Sequence, residues 1–169
     1  VATAGADAIA RVFDAESGRA LHTLAGHKYA VYSVAWSPDG TRIATGGHEG
    51  TARIWDAQTG AALAILEGHS RALRSSAWSP DSTLLATASW DETVRLWEGK
   101  SGKPLFGFKP HDQPVRSAAF SPDGSLLAIV LLPEGDSRLG WNEGRDAPLL
   151  AARRRRAAAV RAPDPTPAA

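Results

Sequence analysis

The chain has 169 residues, 43% hydrophobic and 22% charged, with a net charge of +1 and no Cys or Met. That composition suits one globular core, and it excludes a disulfide framework, a thiolate nucleophile and a Cys-based zinc site. Residues 1–135 carry 12 Lys and Arg against 14 Asp and Glu, a net −2, whereas residues 136–169 carry 7 against 4, a net +3; the body is therefore no basic platform for nucleic acid. No apolar run approaches the roughly 18 residues of a membrane helix, and the N-terminus lacks a basic-then-apolar signal pattern, so a cytoplasmic location is expected. Val1 already lies in a strand-like run with no initiating Met, which suggests residues upstream.

In chain order the sequence repeats with a period of 42: His27, His69 and His111; Trp36, Trp78 and Phe120; Thr3, Thr45 and Thr87; Phe13, Trp55 and Trp97. The turns Ser37–Gly40, Ser79–Ser82 and Ser121–Gly124 keep the same step. Within one period the pattern predicts four short strands. Residues 31–36 are apolar at 31 and then at 34 and 36, and this parity switch predicts a β-bulge near Tyr32 and Ser33. Pro38, Asp39 and Gly40 make a turn. Residues 42–46 and 51–55 form the second and third strands, with Ala52 and Ile54 on one face and Arg53 and Trp55 on the other. Residues 61–66 form the fourth. Such a sheet cannot bury both faces alone and must stack on its neighbours.

Gly26-His27, Gly68-His69, the SPDG-type turns and Trp55-Asp56, with the weaker Phe13-Asp14 and Trp97-Glu98, resemble the marks of the WD40 repeat family. Pro110-His111 departs from that pattern. The resemblance implies an all-β fold of about three to four four-stranded antiparallel β-propeller blades, an incomplete propeller, over residues 1–135. Residues 1–25 read as a partial blade, 26–67 and 68–109 as blades, and 110–135 as a second partial blade. Residues 136–169 read as a degenerate strand, with Arg138–Asn142 its candidate, followed by a low-complexity Ala/Arg/Pro-rich tail. That tail offers too little apolar area to order, although residues 149–160 suit a short helix.

His69, Thr87 and Asp91 hold the ingredients of a catalytic triad. The resemblance implies instead a structural tetrad: Trp97 to Thr87, Thr87 to His69, His69 to Asp91. His27, Thr45, Glu49 and Trp55 are its copy in the blade before, where the extra methylene of Glu49 predicts a looser turn. Thr3, Asp7 and Phe13 keep a remnant, and His111 has no evident partners. A metal site from His27, His69 and His111 is not expected, because each lies on a different blade. No cofactor is expected, and no enzyme activity.

What remains is surface. Carried over column by column from the family, the rim that meets ligands holds Ala6, His48 and Trp90 before the tetrad acid, Tyr32, Arg74 and Arg116 at the first-strand bulge, and Ala30, Ala72 and Pro114 two residues earlier. Trp90, His48, Tyr32, Arg74 and Arg116 have the composition of a protein-binding hot spot. The expected function is a non-enzymatic protein–protein interaction scaffold, a fragment of a larger protein. Its partner would be a protein or peptide on the rim, with no small-molecule substrate and no membrane; self-association, or missing blades from the same chain, would complete the ring. Two alternatives stay open: a regulatory propeller segment of a multidomain signalling enzyme, and nucleic-acid binding through Arg153–Arg156.

Overall fold

The computed structural model describes residues 1–131 and the strand at 158–161. Every described regular element is a strand, and they assemble into four antiparallel sheets. β1 (Ala2–Ala4), β2 (Ile9–Phe13) and β3 (Ala20–Ala25) form the first sheet. The second is β4 (Val31–Trp36), β5 (Arg42–Gly47), β6 (Ala52–Asp56) and β7 (Ala62–Leu66). The third repeats it with β8 (Leu73–Trp78), β9 (Leu84–Ser89), β10 (Val94–Glu98) and β11 (Pro104–Phe108). The fourth contains β12 (Val115–Phe120), β13 (Leu126–Leu131) and β14 (Ala158–Arg161). The second and third are four-stranded blades, the first and fourth have three strands each among the described residues, and together they form an open, incomplete propeller.

The parity switch has the physical consequence expected of it. Val31 pairs with Gly47 but Ser33 pairs with Gly46, so Tyr32 is the extra residue of a bulge. Arg74 and Arg116 sit in the same kind of bulge, between Leu73 and Ser75 and between Val115 and Ser117. A bulged residue leaves the ladder and its side chain is re-aimed.

Alternation along the strands then builds three cores between successive sheets. Val12 and Leu24 meet Ile43 and Trp55; Ile54 and Leu66 meet Leu85 and Trp97; Val94 and Leu96 meet Leu127 and Ile129. Polar ties cross the same gaps. Ser33 Oγ and Ser76 Oγ lie 2.8 Å apart, and the Trp78 indole N–H donates to the Ala35 carbonyl at 3.2 Å. Ser82 takes φ of 62° where its counterparts Gly40 and Gly124 take 71° and 74°. A left-handed Ser costs about 1 kcal/mol; its hydroxyl accepts the Asp39 N–H of the second sheet at 3.1 Å, which offsets part of that cost.

The tail differs from expectation at one place. Ala158–Arg161 is neither helix nor disordered: it lies antiparallel on β13, with Ile129 opposite Ala158 and Leu126 opposite Arg161. The unsatisfied N–H and C=O groups along β13 outweigh the few tenths of a kcal/mol per residue by which Ala and Arg favour helix. The degenerate strand read at Arg138–Asn142 lies outside the described residues.

The inter-sheet cores carry the stability. Leu85→Ala, at a fully buried position, should cost about 2–5 kcal/mol, whereas Leu63→Ala, on the exposed side of β7, should stay within about 0.5 kcal/mol. Urea denaturation of the two variants checks this; equal midpoints would contradict the assignment of the core.

Candidate functional site

The third sheet brings His69, Thr87, Asp91 and Trp97 into one chain of hydrogen bonds. The Trp97 indole N–H donates to Thr87 Oγ1 at 2.8 Å, Thr87 Oγ1 lies 2.9 Å from His69 Nε2, and His69 Nδ1 lies 2.9 Å from Asp91 Oδ2. With the ring neutral, the state that burial favours, the threonine hydroxyl donates to Nε2 and Nδ1–H donates to the carboxylate. The imidazole is thus fully paired.

Asp91 is held from every side. The Ser70 N–H donates to Oδ2 at 3.0 Å, the Thr93 N–H and hydroxyl donate to Oδ1 at 3.0 and 2.6 Å, and the Ser89 hydroxyl accepts the Asp91 N–H at 3.1 Å. Thr93, Ser89 and Ser70 escaped the sequence reading. Ser89 and Ser70 follow no step of 42, Gly47 and Lys28 standing in their columns, whereas Thr93 repeats Thr51 and that shared column was the signal that could have found it. Burial pushes the His69 imidazole below its ordinary value, against the pull of the Asp91 charge. Burial alone would raise Asp91, but the bonds from Thr93, His69 and Ser70 outweigh it and the carboxyl sits below the usual range.

The second sheet repeats the chain with one exchange. Trp55 donates to Thr45 Oγ1 at 2.8 Å, Thr45 Oγ1 lies 2.8 Å from His27 Nε2, and His27 Nδ1 lies 2.5 Å from Glu49 Oε1. The methylene of Glu49 takes the space left by a missing side chain. Gly47 stands where the third sheet has Ser89, and a Cβ there would lie 2.5 Å from His27 Nδ1 and clash with Glu49 Oε2. The cost falls on the acid: Thr51 is its other side-chain donor, at 2.9 Å, and Oε2 is buried without a partner. Burial depresses His27 too, against the pull of Glu49.

Among the described residues the outer sheets hold no such chain. Thr3 is exposed, Asp7 pairs at 2.6 Å with Arg11, and Phe13 has no indole donor. His111 is exposed, and among the described residues it makes no hydrogen bond to a Thr or an acid. The glycine of the Gly-His pair has a cause of its own: a Cβ on Gly68 would lie 2.8 Å from the Arg95 guanidinium, and one on Gly26 2.9 Å from Arg53.

The tetrad ends where the rim begins. The Trp90 N–H donates to the Ala72 carbonyl at 3.0 Å and the His48 N–H to the Ala30 carbonyl at 2.9 Å, which ties each turn to the chain entering the bulge. The Arg74 guanidinium lies between two rings, 4.6 Å from the Tyr32 centroid and 4.9 Å from that of Trp90. Tyr32 and His48 follow at 5.6 Å, and Tyr29 meets His48 edge-on at 6.0 Å. Four of the five rim residues thus make one row, Trp90–Arg74–Tyr32–His48. Arg116 occupies the same bulge on the fourth sheet, exposed and, among the described residues, without a stacked ring. Tyr29 was missed; it shares a column with Arg71 and Gln113, which gave no aromatic signal. Arg153–Arg156 lie outside the described residues.

Among the described residues no helix is long and apolar enough to cross a membrane. The family model described as WD domain, G-beta repeat matches residues 18–56, 60–98 and 102–130, more than half of the chain. Each matched segment opens on the outer strand of one sheet and runs into the inner strands of the next, so the repeat itself ties neighbouring sheets together. The chain is also similar to the F-box-like/WD repeat-containing protein TBL1X of Mus musculus, 50% identical over 40 residues. That match covers 24% of this chain and 8% of the relative's length.

Two outcomes follow from the tetrads. Both imidazoles have depressed folded values, so the unfolded chain takes up protons that the folded one refuses; stability is full above about pH 6.5 and falls as pH drops below it. His69→Gln should flatten that fall between pH 7 and 5, and an unchanged slope in urea titrations would contradict the assignment. Gly47→Ser alone should cost about 1–3 kcal/mol by overpacking, and adding Glu49→Asp should remove most of the loss, giving a coupling of about 1 kcal/mol or more in a double-mutant cycle.

Proposed function

The chain belongs to the WD domain, G-beta repeat family, and from that premise we propose that it is a non-enzymatic scaffold whose rim receives a protein or peptide partner at Trp90, Arg74, Tyr32, His48 and Arg116. The observation that carries this is Arg74 stacked between Tyr32 and Trp90. Aromatic rings and arginine are the residues that dominate binding energy at protein interfaces. Here they lie at turn and bulge positions outside the three cores. The hydroxyl, imidazole and carboxylate that could suggest hydrolysis are spent on each other, and the Trp97 indole caps the threonine.

The scaffold is proposed to continue into further sheets. Val130 is exposed in the column where Ala88 of the third sheet is fully buried, and Trp36 is 40% exposed where Trp78 is 7% exposed. Val130 is a side chain that a sheet beyond the fourth would cover, whereas Trp36, whose counterpart Trp78 reaches back to Ala35 on the first strand of the preceding sheet, is one that a further strand on the first sheet would cover.

Trp90→Ala combined with Arg74→Ala should abolish co-purification of partner proteins while the urea midpoint moves by less than about 1 kcal/mol. His69→Ala should do the reverse and destabilise by about 2–5 kcal/mol. Unchanged co-purification by the rim variant would overturn the proposal.

A further inference from the structure

Resting on that reading of the rim, we propose that its occupant is an extended acidic peptide whose carboxylates or phosphates, three residues apart, seat on Arg74 and Arg116. The first reason is a charge imbalance. Glu49 and Asp91 are turned inward onto His27 and His69. Glu92 and Asp112 both close on one cation, Lys109 Nζ, at 2.8 Å each. Those four acids are thereby spent. Lys28, Arg71, Arg74 and Arg116, on the same entry loops and bulges, have no ion pair among the described residues. On these loops, among the described residues, Glu67 is left as the one unpaired acid against four unpaired cations, so the rim is in net excess of positive charge.

The second reason is the state of Arg74 itself. Its guanidinium carbon lies 4.6 Å from the Tyr32 ring centroid and 4.9 Å from that of Trp90, and two rings at that range restrict where the head group can sit. Its N–H edge makes no hydrogen bond within the described residues and is not sealed from solvent, in contrast to the buried, unpartnered Nε of Arg53 and Arg95. A guanidinium engaged by rings rather than by an acid keeps its N–H fork for a carboxylate or phosphate, which it can take bidentately. Because its rotamer is already held, binding loses less side-chain freedom. Contact with both rings also keeps the charge in place without a protein acid to neutralise it.

Spacing gives the third element. Arg74 and Arg116 occupy equivalent bulges on β8 and β12, the first strands of stacked sheets. Packed sheets lie about 10 Å apart and an extended chain advances about 3.3 Å per residue, so two anionic side chains at i and i+3 match the two arginines. Tyr32, His48 and Tyr29 then lie under the peptide on the side of the second sheet, where an apolar or aromatic residue fits.

A displayed library of random dodecamer peptides, selected on the full chain, tests this. The wild type should enrich peptides with Asp or Glu at i and i+3. Their binding, read by fluorescence anisotropy, should weaken about tenfold or more in Arg74→Ala and in Arg116→Ala, weaken as salt rises, and survive when Glu is replaced by phosphoserine. Lys replacements of the same residues should not bind. Enriched neutral or basic peptides that still lose binding in Trp90→Ala would keep the rim and overturn the acidic occupant. Enriched peptides that bind Trp90→Ala and Arg74→Ala unchanged would overturn both, and a selection that enriches no acidic pair overturns the proposal.

Discussion

A sheet buried on both faces has no water to satisfy a hydroxyl, an indole or an imidazole, and the Trp–Thr–His–acid chain is how this protein meets that constraint. Thr45 and Thr87 are fully buried; left unpaired, each would cost about 1–3 kcal/mol. The chain of bonds joins two strands, the turn between them and the loop before the sheet, since Trp97 lies on β10, Thr87 on β9, Asp91 on the turn between them and His69 on the entry loop. One network thus fixes the relation between a sheet and the chain that enters it. The rim is what that relation positions.

The exchange of Ser89 and Asp91 for Gly47 and Glu49 makes the same point by compensation. A longer acid reaches the same imidazole only because the side chain beside it is gone. The second-sheet turn is not simply looser, as the acid alone suggests; its volume is conserved between two residues. Its hydrogen bonding is poorer, with Oε2 of Glu49 left without a partner. The two turns therefore present His48 and Trp90 from supports of unequal strength. Trp90, on the better supported turn, holds Arg74 from one side, and Tyr32 from the bulge holds it from the other.

Most of this was legible in the sequence, because a period of 42 residues places equivalent side chains at equivalent points and the switch of parity after Val31 marks the bulge. The strands and the bulge follow from those two signals, and the pairing within each tetrad from the resemblance of the repeated columns to the WD40 family. What was not legible depends on contacts between repeats. Arg74 meets Tyr32 only because sheets stack at about 10 Å, and no periodicity along one chain states which neighbouring rings will enclose a guanidinium. Gly47 was legible in principle: a glycine where the repeat has Ser89, two residues before the longer acid. β14 was not, because Ala and Arg favour helix locally and only the free edge of β13 makes an extended strand the better state.

The central claim is that the two buried histidines are neutral struts, with the proton on Nδ1 facing the acid and the lone pair of Nε2 facing threonine. Long-range 15N–1H NMR of the imidazole rings reads this directly. His27 and His69 should keep the Nδ1–H form and titrate below the ordinary imidazole value of about 6.5. A ring carrying its proton on Nε2, or one that titrates near the ordinary value of about 6.5, would contradict it.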